Sequence, residues 1–196
     1  MRRLNLLIKR ILDTVLSLLG LIIISPIFLV LMVLIRVTSV GPVFFFQERL
    51  GYKGKVFKII KFRTMVVNAE NMGTGVVINE KSDPRITKIG KILRKTSLDE
   101  LPQLINVIKG DMALVGPRPP VPYHPYDGYR NYPDWAVKRF EVKPGITGLA
   151  QVELKSDASW EERIVVDNKY VDRFSVGYDF VIILKTIGAV LKRETF

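Results

Sequence analysis

The sequence predicts an α+β protein anchored in a membrane, and three observations predict it. Residues 14–35 carry no charge and are dominated by Leu, Ile and Val. Two runs rich in β-branched and aromatic residues, 43–46 and 56–62, flank Gly51-Tyr52-Lys53-Gly54, the pattern of a β-hairpin closed by a glycine-containing turn. Beyond the hairpin, four stretches carry apolar residues at helical spacing. At 196 residues the chain has room for a membrane segment, 1–40, and one further domain, 41–196.

As a straight helix at ~1.5 Å per residue, residues 14–35 reach roughly 33 Å, enough to cross a bilayer core of ~30 Å. The run is too long for a secretory signal, and Ile35-Arg36-Val37-Thr38 offers no small-residue cleavage pattern. Ser25-Pro26 falls in its middle. Proline removes the amide bond to residue 22 and bends the helix there, and the Ser25 hydroxyl is placed to satisfy a freed backbone group. Arg2, Arg3, Lys9 and Arg10 precede the run, while Arg36, Arg49, Lys53, Lys55, Lys58, Lys61 and Arg63 follow it. Positive flanks favour the cytoplasmic side, and both flanks are positive. A helix that dips in, breaks at Pro26 and returns satisfies both; a tilted span kinked at Pro26 also fits these residues.

The formal charge is +11, from 30 Lys and Arg against 19 Asp and Glu. That excess favours anionic partners: nucleic acid, anionic headgroups or phosphorylated substrates. With no Cys and only His124, disulfides, thiolate nucleophiles, Cys-based metal sites and most His-built sites are excluded. The chemistry falls to carboxylates, cations, hydroxyls and backbone amides.

After the hairpin, 67–81 contains Gly73 and Gly75 with weak periodicity and reads as a flexible loop. Asp83-Pro84 opens a basic helix to about 95, with Ile86, Ile89, Ile92 and Leu93 as its apolar face. A second helix starts near 97 and stops at Gly110. Residues 112–115 form a short apolar run before the turn-rich 116–133, and Lys143-Pro144-Gly145 opens a loop into 149–154. Helices follow at 159–174 and 179–192. The last carries Phe180, Ile183, Leu184, Ile187 and Leu191 on one side, as a helix lying in a membrane interface or packing on a core would.

Thr96-Ser97-Leu98-Asp99-Glu100-Leu101-Pro102-Gln103 is the most informative stretch. Ser97 and Glu100 have capping-box spacing. With Asp99 as the cap instead, Pro102 would sit in the first turn, where its missing amide costs nothing. In either register Asp99 and Glu100 lie at a positive helix end, where Asp99 stays ionised and can act as a nucleophile. Arg94 and Lys95 make the neighbourhood a seat for phosphates, and Mg²⁺ could bridge carboxylate and diphosphate. Catalysis and capping both explain the pair. Gly116-Pro117-Arg118-Pro119 fixes one guanidinium between prolines, which suits bidentate phosphate recognition. His124, among Pro122, Tyr123 and Pro125, reads as a loop residue rather than a base.

Taken in order, these segments resemble the bacterial sugar transferases known as monotopic phosphoglycosyl transferases. The resemblance runs from Lys9 to about Lys185. It is carried by Lys9-Arg10 with Ser25-Pro26; Gly41-Pro42-Val43-Phe44-Phe45 with Gln47-Glu48-Arg49-Leu50-Gly51; and Lys61-Phe62-Arg63-Thr64-Met65. Asp83-Pro84-Arg85-Ile86-Thr87 and Ser97 to Gln103 follow, then Gly110-Asp111-Met112 with Val115-Gly116-Pro117-Arg118-Pro119. Lys143-Pro144-Gly145-Ile146-Thr147-Gly148-Leu149-Ala150-Gln151-Val152 completes the set, with Ala150 where many relatives carry Trp.

The resemblance implies a monotopic protein of the bacterial inner membrane, with a re-entrant helix broken at Ser25-Pro26, a mainly helical cytoplasmic domain, interfacial amphipathic helices and the active site on the cytoplasmic face. It implies that Asp99 attacks the β-phosphate of a UDP-sugar, expels UMP and forms an aspartyl phosphosugar, which undecaprenyl phosphate then takes up, as in the first membrane step of surface-glycan assembly. Asp99 would hold Mg²⁺, and Glu100 would handle metal or proton. Lys61, Arg94 and Arg118 match positions at the substrate phosphates, with Asp167 and Gln151 as further substrate-binding positions. Longer relatives carry extra N-terminal spans, so the resemblance implies a minimal catalytic form. No nucleic-acid partner is expected, and a homodimer is left open. A basic membrane tether would explain the charge but not Asp99-Glu100 or the fixed Arg118; a membrane phosphatase would use the same aspartate with water.

Overall fold

A 37-residue helix, α1 (Arg2–Thr38), contains the apolar segment, the basic residues before it and Arg36 after it. The computed structural model describes residues 2–69, 72, 83–155 and 157–191; most of the loop expected at 67–81, and Lys192, lie outside the described residues. Among the described residues, α1 is the one helix long and apolar enough to cross a membrane. Helical structure continues through Pro26, and the Ile22 carbonyl that Pro26 cannot bond receives Ser25 Oγ at 2.8 Å. The serine fills the role expected of it.

One face of α1 is buried: Lys9, Asp13 and Ser17 in its first half, Leu31 and Ile35 in its second. The other faces leave Leu18, Leu19, Ile22, Ile23, Ile27 and Val30 exposed, among others. Both ends are held by the same domain. Lys9 Nζ sits 2.6 Å from Asp179 Oδ2 and 3.2 Å from Asp13 Oδ2, and Arg10 donates to the Val107 and Ile108 carbonyls. At the far end, Arg63 donates to the Ser39 and Val40 carbonyls, and Arg36 to the Gly41 carbonyl at 3.1 Å.

The hairpin forms as predicted, with its first strand longer. β1 (Phe44–Leu50) and β2 (Val56–Phe62) pair antiparallel from Phe44↔Phe62 to Leu50↔Val56. Phe28 of α1 and Phe44 pack on Phe62 with ring centroids 4.7 and 5.6 Å away, so α1 and the hairpin share an apolar cluster with Leu31, Ile35 and Leu93.

α2 (Lys88–Lys95) starts five residues after the expected Asp83. Its cap is Thr87, whose Oγ1 accepts from the Gly90 amide at 3.0 Å. Asp83 instead forms a buried ion pair with Arg85, 2.6 Å apart, and Arg85 holds the Ala69 and Met72 carbonyls. The Asp83-Pro84-Arg85 motif is thus a clamp on the preceding loop rather than a helix start. The second helix is also shorter than expected: a 3-10 turn, Leu98–Glu100, precedes α3 (Gln103–Lys109). Gly110 ends α3 at φ 93°, as expected of a left-handed cap.

β3 (Ala113–Val115) and β4 (Gly145–Thr147) form a two-stranded parallel ladder, where the sequence suggests only an apolar run and a loop. Parallel partners far apart in sequence leave no local signature. α4 (Asp134–Val137), α5 (Leu149–Glu153), α6 (Trp160–Asp172) and α7 (Val176–Leu191) complete the domain. Ser159 and Glu162 cap α6 with a reciprocal capping box. α7 buries Ile182 and Asp179 against a core of Val115, Leu149, Val166 and Tyr170. Its expected apolar stripe faces outward at Phe180, Leu184 and Ile187.

Candidate active site

The last residues of β2 and the loop after it alternate in what they touch. Lys61 Nζ reaches Glu100 Oε1 at 2.6 Å. Phe62 turns into the core, Arg63 clasps the end of α1, and Thr64 Oγ1 accepts from Arg94 Nε at 3.0 Å. A single extended segment therefore sets one candidate phosphate-binding lysine and orients one arginine from α2.

The 3-10 turn carries the carboxylates. Neither capping register expected from the sequence is used: Ser97, at φ 55°, makes no side-chain cap, and Pro102 is the residue preceding α3. Neither carboxylate is committed to a helix end. Glu100 instead accepts from Lys61 and lies 3.5 Å from Arg118 Nη2. Burial works to raise its pKa, but Lys61 and Arg118, with hydrogen bonds from Lys61 and Gln103, hold it at about 2. Glu100 is ionised and clamped. Asp99 beside it makes no hydrogen bond or ion pair with the described residues. Burial raises its carboxyl above the usual range; Lys61 pulls it down, Glu100 pushes it up, and Arg94 and Arg118 pull it down.

Asn106 ties this geometry together. Fully buried on α3, it accepts from the Ile60 amide at 2.9 Å and donates to the Lys58 carbonyl at 2.8 Å. It thereby bonds α3 to β2 on the side opposite β1, next to the residue that carries the Lys61–Glu100 pair.

The site is thus one carboxylate, without a partner among the described residues, ringed by the cations of β2, α2 and the proline-rich loop. The sequence matches the Bacterial sugar transferase family over residues 4–193. The chain belongs to the bacterial sugar transferase family. It is 42% identical, over 95% of its length, to the galactosyl transferase CpsE of Streptococcus agalactiae, and covers 43% of that protein. To the exopolysaccharide production protein ExoY of Sinorhizobium fredii it is 39% identical over 93% of its length, covering 84% of that relative. To the UDP-glucose:undecaprenyl-phosphate glucose-1-phosphate transferase of Escherichia coli it is 42% identical over 93%, covering 40%. The chain spans less than half of two of these relatives and most of the third.

In this family member, Lys61, Arg94 and Arg118 all pull the Asp99 carboxyl down, and Lys61 and Arg118 do the same to Glu100. Asp167 and Gln151 do not open onto that cluster. Asp167 is 1% exposed and pairs with Arg139 at 2.7 Å; burial pushes its carboxyl up to about 6 against the pull of that arginine. Gln151 is buried on α5 and donates to the Ile146 carbonyl at 3.3 Å. His124 stacks edge-on to Trp160, 5.8 Å between centroids, in keeping with a loop role.

Sequence reasoning missed Asn106, Thr64's contact to Arg94, and Arg139. A polar residue inside the apolar face of α3 was the available signal for Asn106; for Arg139 there was none.

Among the described residues no three His, Cys, Asp or Glu side chains gather as a metal cage. The donor set present, Asp99 beside a fully engaged Glu100, fits a cation that takes one carboxylate and completes its shell with substrate phosphates and water, as Mg²⁺ does. It does not fit a dedicated all-protein Ca²⁺ or Zn²⁺ site.

Proposed function

We propose that this protein transfers a sugar 1-phosphate from a UDP-sugar to undecaprenyl phosphate, through a covalent intermediate on Asp99, in surface-glycan assembly. The observation that carries the proposal is the division of labour between adjacent carboxylates: Glu100 is locked by Lys61 and Arg118, while Asp99 bonds none of the cations around it. A nucleophile needs a free oxygen; an electrostatic anchor needs to stay put. The relatives' names, which include undecaprenyl-phosphate galactose phosphotransferase in Salmonella typhimurium, support this donor and acceptor class.

In the first step an Asp99 oxygen attacks the β-phosphorus, the bond from that phosphorus to the bridging oxygen breaks, and UMP leaves. In the second, an oxygen of undecaprenyl phosphate attacks the same phosphorus, the bond to Asp99 breaks and the carboxylate is regenerated. Arg94, oriented by Thr64, and Arg118 spread positive charge over the diphosphate, where charge is redistributed during transfer. Asp99 would hold Mg²⁺, which would supply further charge neutralisation. Glu100, at about 2, is a poor proton donor at neutral pH and serves to hold Lys61 and Arg118 in place.

The length and anchoring of α1 support the membrane arrangement. At ~1.5 Å per residue its 37 residues extend about 55 Å. Anchors at Lys9 and Arg10 and at Arg63 tie both ends to the one catalytic domain, which supports a re-entrant helix with both ends on the cytoplasmic face of the inner membrane. The outward Phe180, Leu184 and Ile187 of α7 support an interfacial helix beside it. The acceptor's polyprenyl tail then stays in lipid while its phosphate reaches Asp99.

Incubation with a panel of UDP-sugars, polyprenyl phosphate and Mg²⁺, scored by UMP release, tests the reading. Asp99→Asn should abolish release, and wild type given donor alone should carry a phosphosugar adduct on Asp99. Turnover surviving Asp99→Asn would refute it, and release of free sugar phosphate without lipid product would assign a hydrolase instead.

A further inference from the structure

The loop that presents Arg118 is held by its carbonyls. Residues 116–120 include three prolines, so the segment has few amides with which to bond itself in place. Four successive carbonyls accept from donors on three separate segments. Gly145 N donates to Pro117 O at 3.0 Å, Arg49 Nη1 to Pro119 O at 3.0 Å, and Leu50 N to Pro120 O at 2.9 Å. The carbonyl of Arg118 itself receives Arg139 Nη2 at 2.7 Å.

Arg139 is an unusual donor for that duty. Its residue is 2% exposed and its guanidinium lies 5.4 Å from the Trp160 ring centroid and 5.6 Å from that of Phe140. The same Nη2 pairs with Asp167 of α6, itself buried. A buried ion pair adds little stability over a well-packed apolar pair, because desolvation offsets the attraction. What an apolar pair could not supply is a charged donor aimed at the Arg118 carbonyl.

We propose that Arg139, oriented by Asp167, is a positioning residue that sets the Arg118 guanidinium for the substrate diphosphate. The chain of contacts runs from α6 through Asp167 and Arg139 to the backbone of Arg118, and from its side chain to Glu100 at 3.5 Å. Asp167 then serves the substrate without touching it. The inference rests on the reading of Arg118 as a phosphate-binding group, and its test separates the two.

Two measurements decide it. The first is hydrogen exchange of the membrane-embedded protein, which needs no activity: Arg139→Met should speed exchange in peptides covering 116–121 while the hairpin and α7 stay at wild-type rates. The second is a double-variant cycle on UMP release. Arg139→Met should lower kcat/KM by roughly 10- to 100-fold, mainly through kcat, as a displaced charge does. Added to Arg118→Ala it should cost no more than about 3-fold further, because the group it positions is already gone. Arg139→Lys, which retains a cationic donor, should recover part of the loss. If Arg139→Met does not fold, Asp167→Asn takes its place in both measurements. Losses that multiply with Arg118→Ala, or unchanged exchange at 116–121, would overturn the proposal. An Arg118→Ala enzyme as active as wild type would also overturn it, since there would be nothing to position. A wild-type protein that releases no UMP from any donor refutes the transferase reading, and the exchange measurement still decides the Arg139 contact.

Discussion

Glu100→Gln tests the electrostatics of the site most directly, since glutamine mimics the protonated acid at nearly the same volume. In the wild type the carboxyl is held at about 2 against an ordinary 4.5. That difference corresponds to ~3 kcal/mol favouring the folded, ionised form at neutral pH. The pKa is lowered on folding, so the stabilisation is complete well above pH 4.5 and disappears as pH falls towards 2. Glu100→Gln should therefore unfold at a lower temperature than wild type at pH 7, by a margin equivalent to ~3 kcal/mol, and the margin should shrink by roughly a quarter at pH 4. Thermal unfolding of both proteins in the same detergent or nanodisc across pH 4–8 reads this out. A second consequence concerns Asp99. Removing Glu100 takes away a charge that raises the Asp99 pKa and releases Lys61, which lowers it. Any residual activity of Glu100→Gln should keep its acid limb at lower pH than wild type. A thermal deficit that is absent at pH 7, or that grows on acidification, would refute the assignment of Glu100 as a clamped, ionised anchor.

Thr64→Val removes the hydroxyl that orients Arg94 and should reduce kcat/KM several-fold with a stability loss of only about 1 kcal/mol; an unchanged kcat/KM would remove Thr64 from the site. Gly90→Ala drives a Cβ into the Thr64 carbonyl, so α2 must shift away from the Lys61–Thr64 segment at a cost of ~1–3 kcal/mol; a variant as stable and active as wild type would refute that packing. Lys9→Met leaves Asp13 and Asp179 facing each other without their shared cation and should cost ~3–5 kcal/mol, seen as a lowered unfolding temperature and faster proteolysis near the start of α1.

Where local motifs mislead at the site, they mislead on partners. Ser97 and Glu100 have the same spacing as Ser159 and Glu162, yet only the latter pair closes a capping box. Spacing is identical in the two cases; what differs is that Lys61, remote in sequence, competes for Glu100. Asp83 likewise has the look of a helix start, but Arg85 takes its carboxylate and Thr87 takes the cap. Short polar motifs specify which groups are available, and the nearest strong opposite charge in three dimensions decides which bond forms.

The sequence by itself determined the long apolar N-terminal segment, the hairpin, the end of α3 at Gly110 and the candidacy of Lys61, Arg94, Asp99, Glu100 and Arg118, because continuous apolarity, turn chemistry and linear motif order are local properties of a chain. Only the tertiary structure decided that both ends of α1 grip one domain, that β3 pairs with β4, that Glu100 rather than Asp99 is the clamped carboxylate, and that Asp167 faces Arg139 rather than open solvent. Those outcomes depend on contacts between residues tens of positions apart, where burial strengthens each charge pairing and the packed backbone, rather than the order of residues, selects the partner.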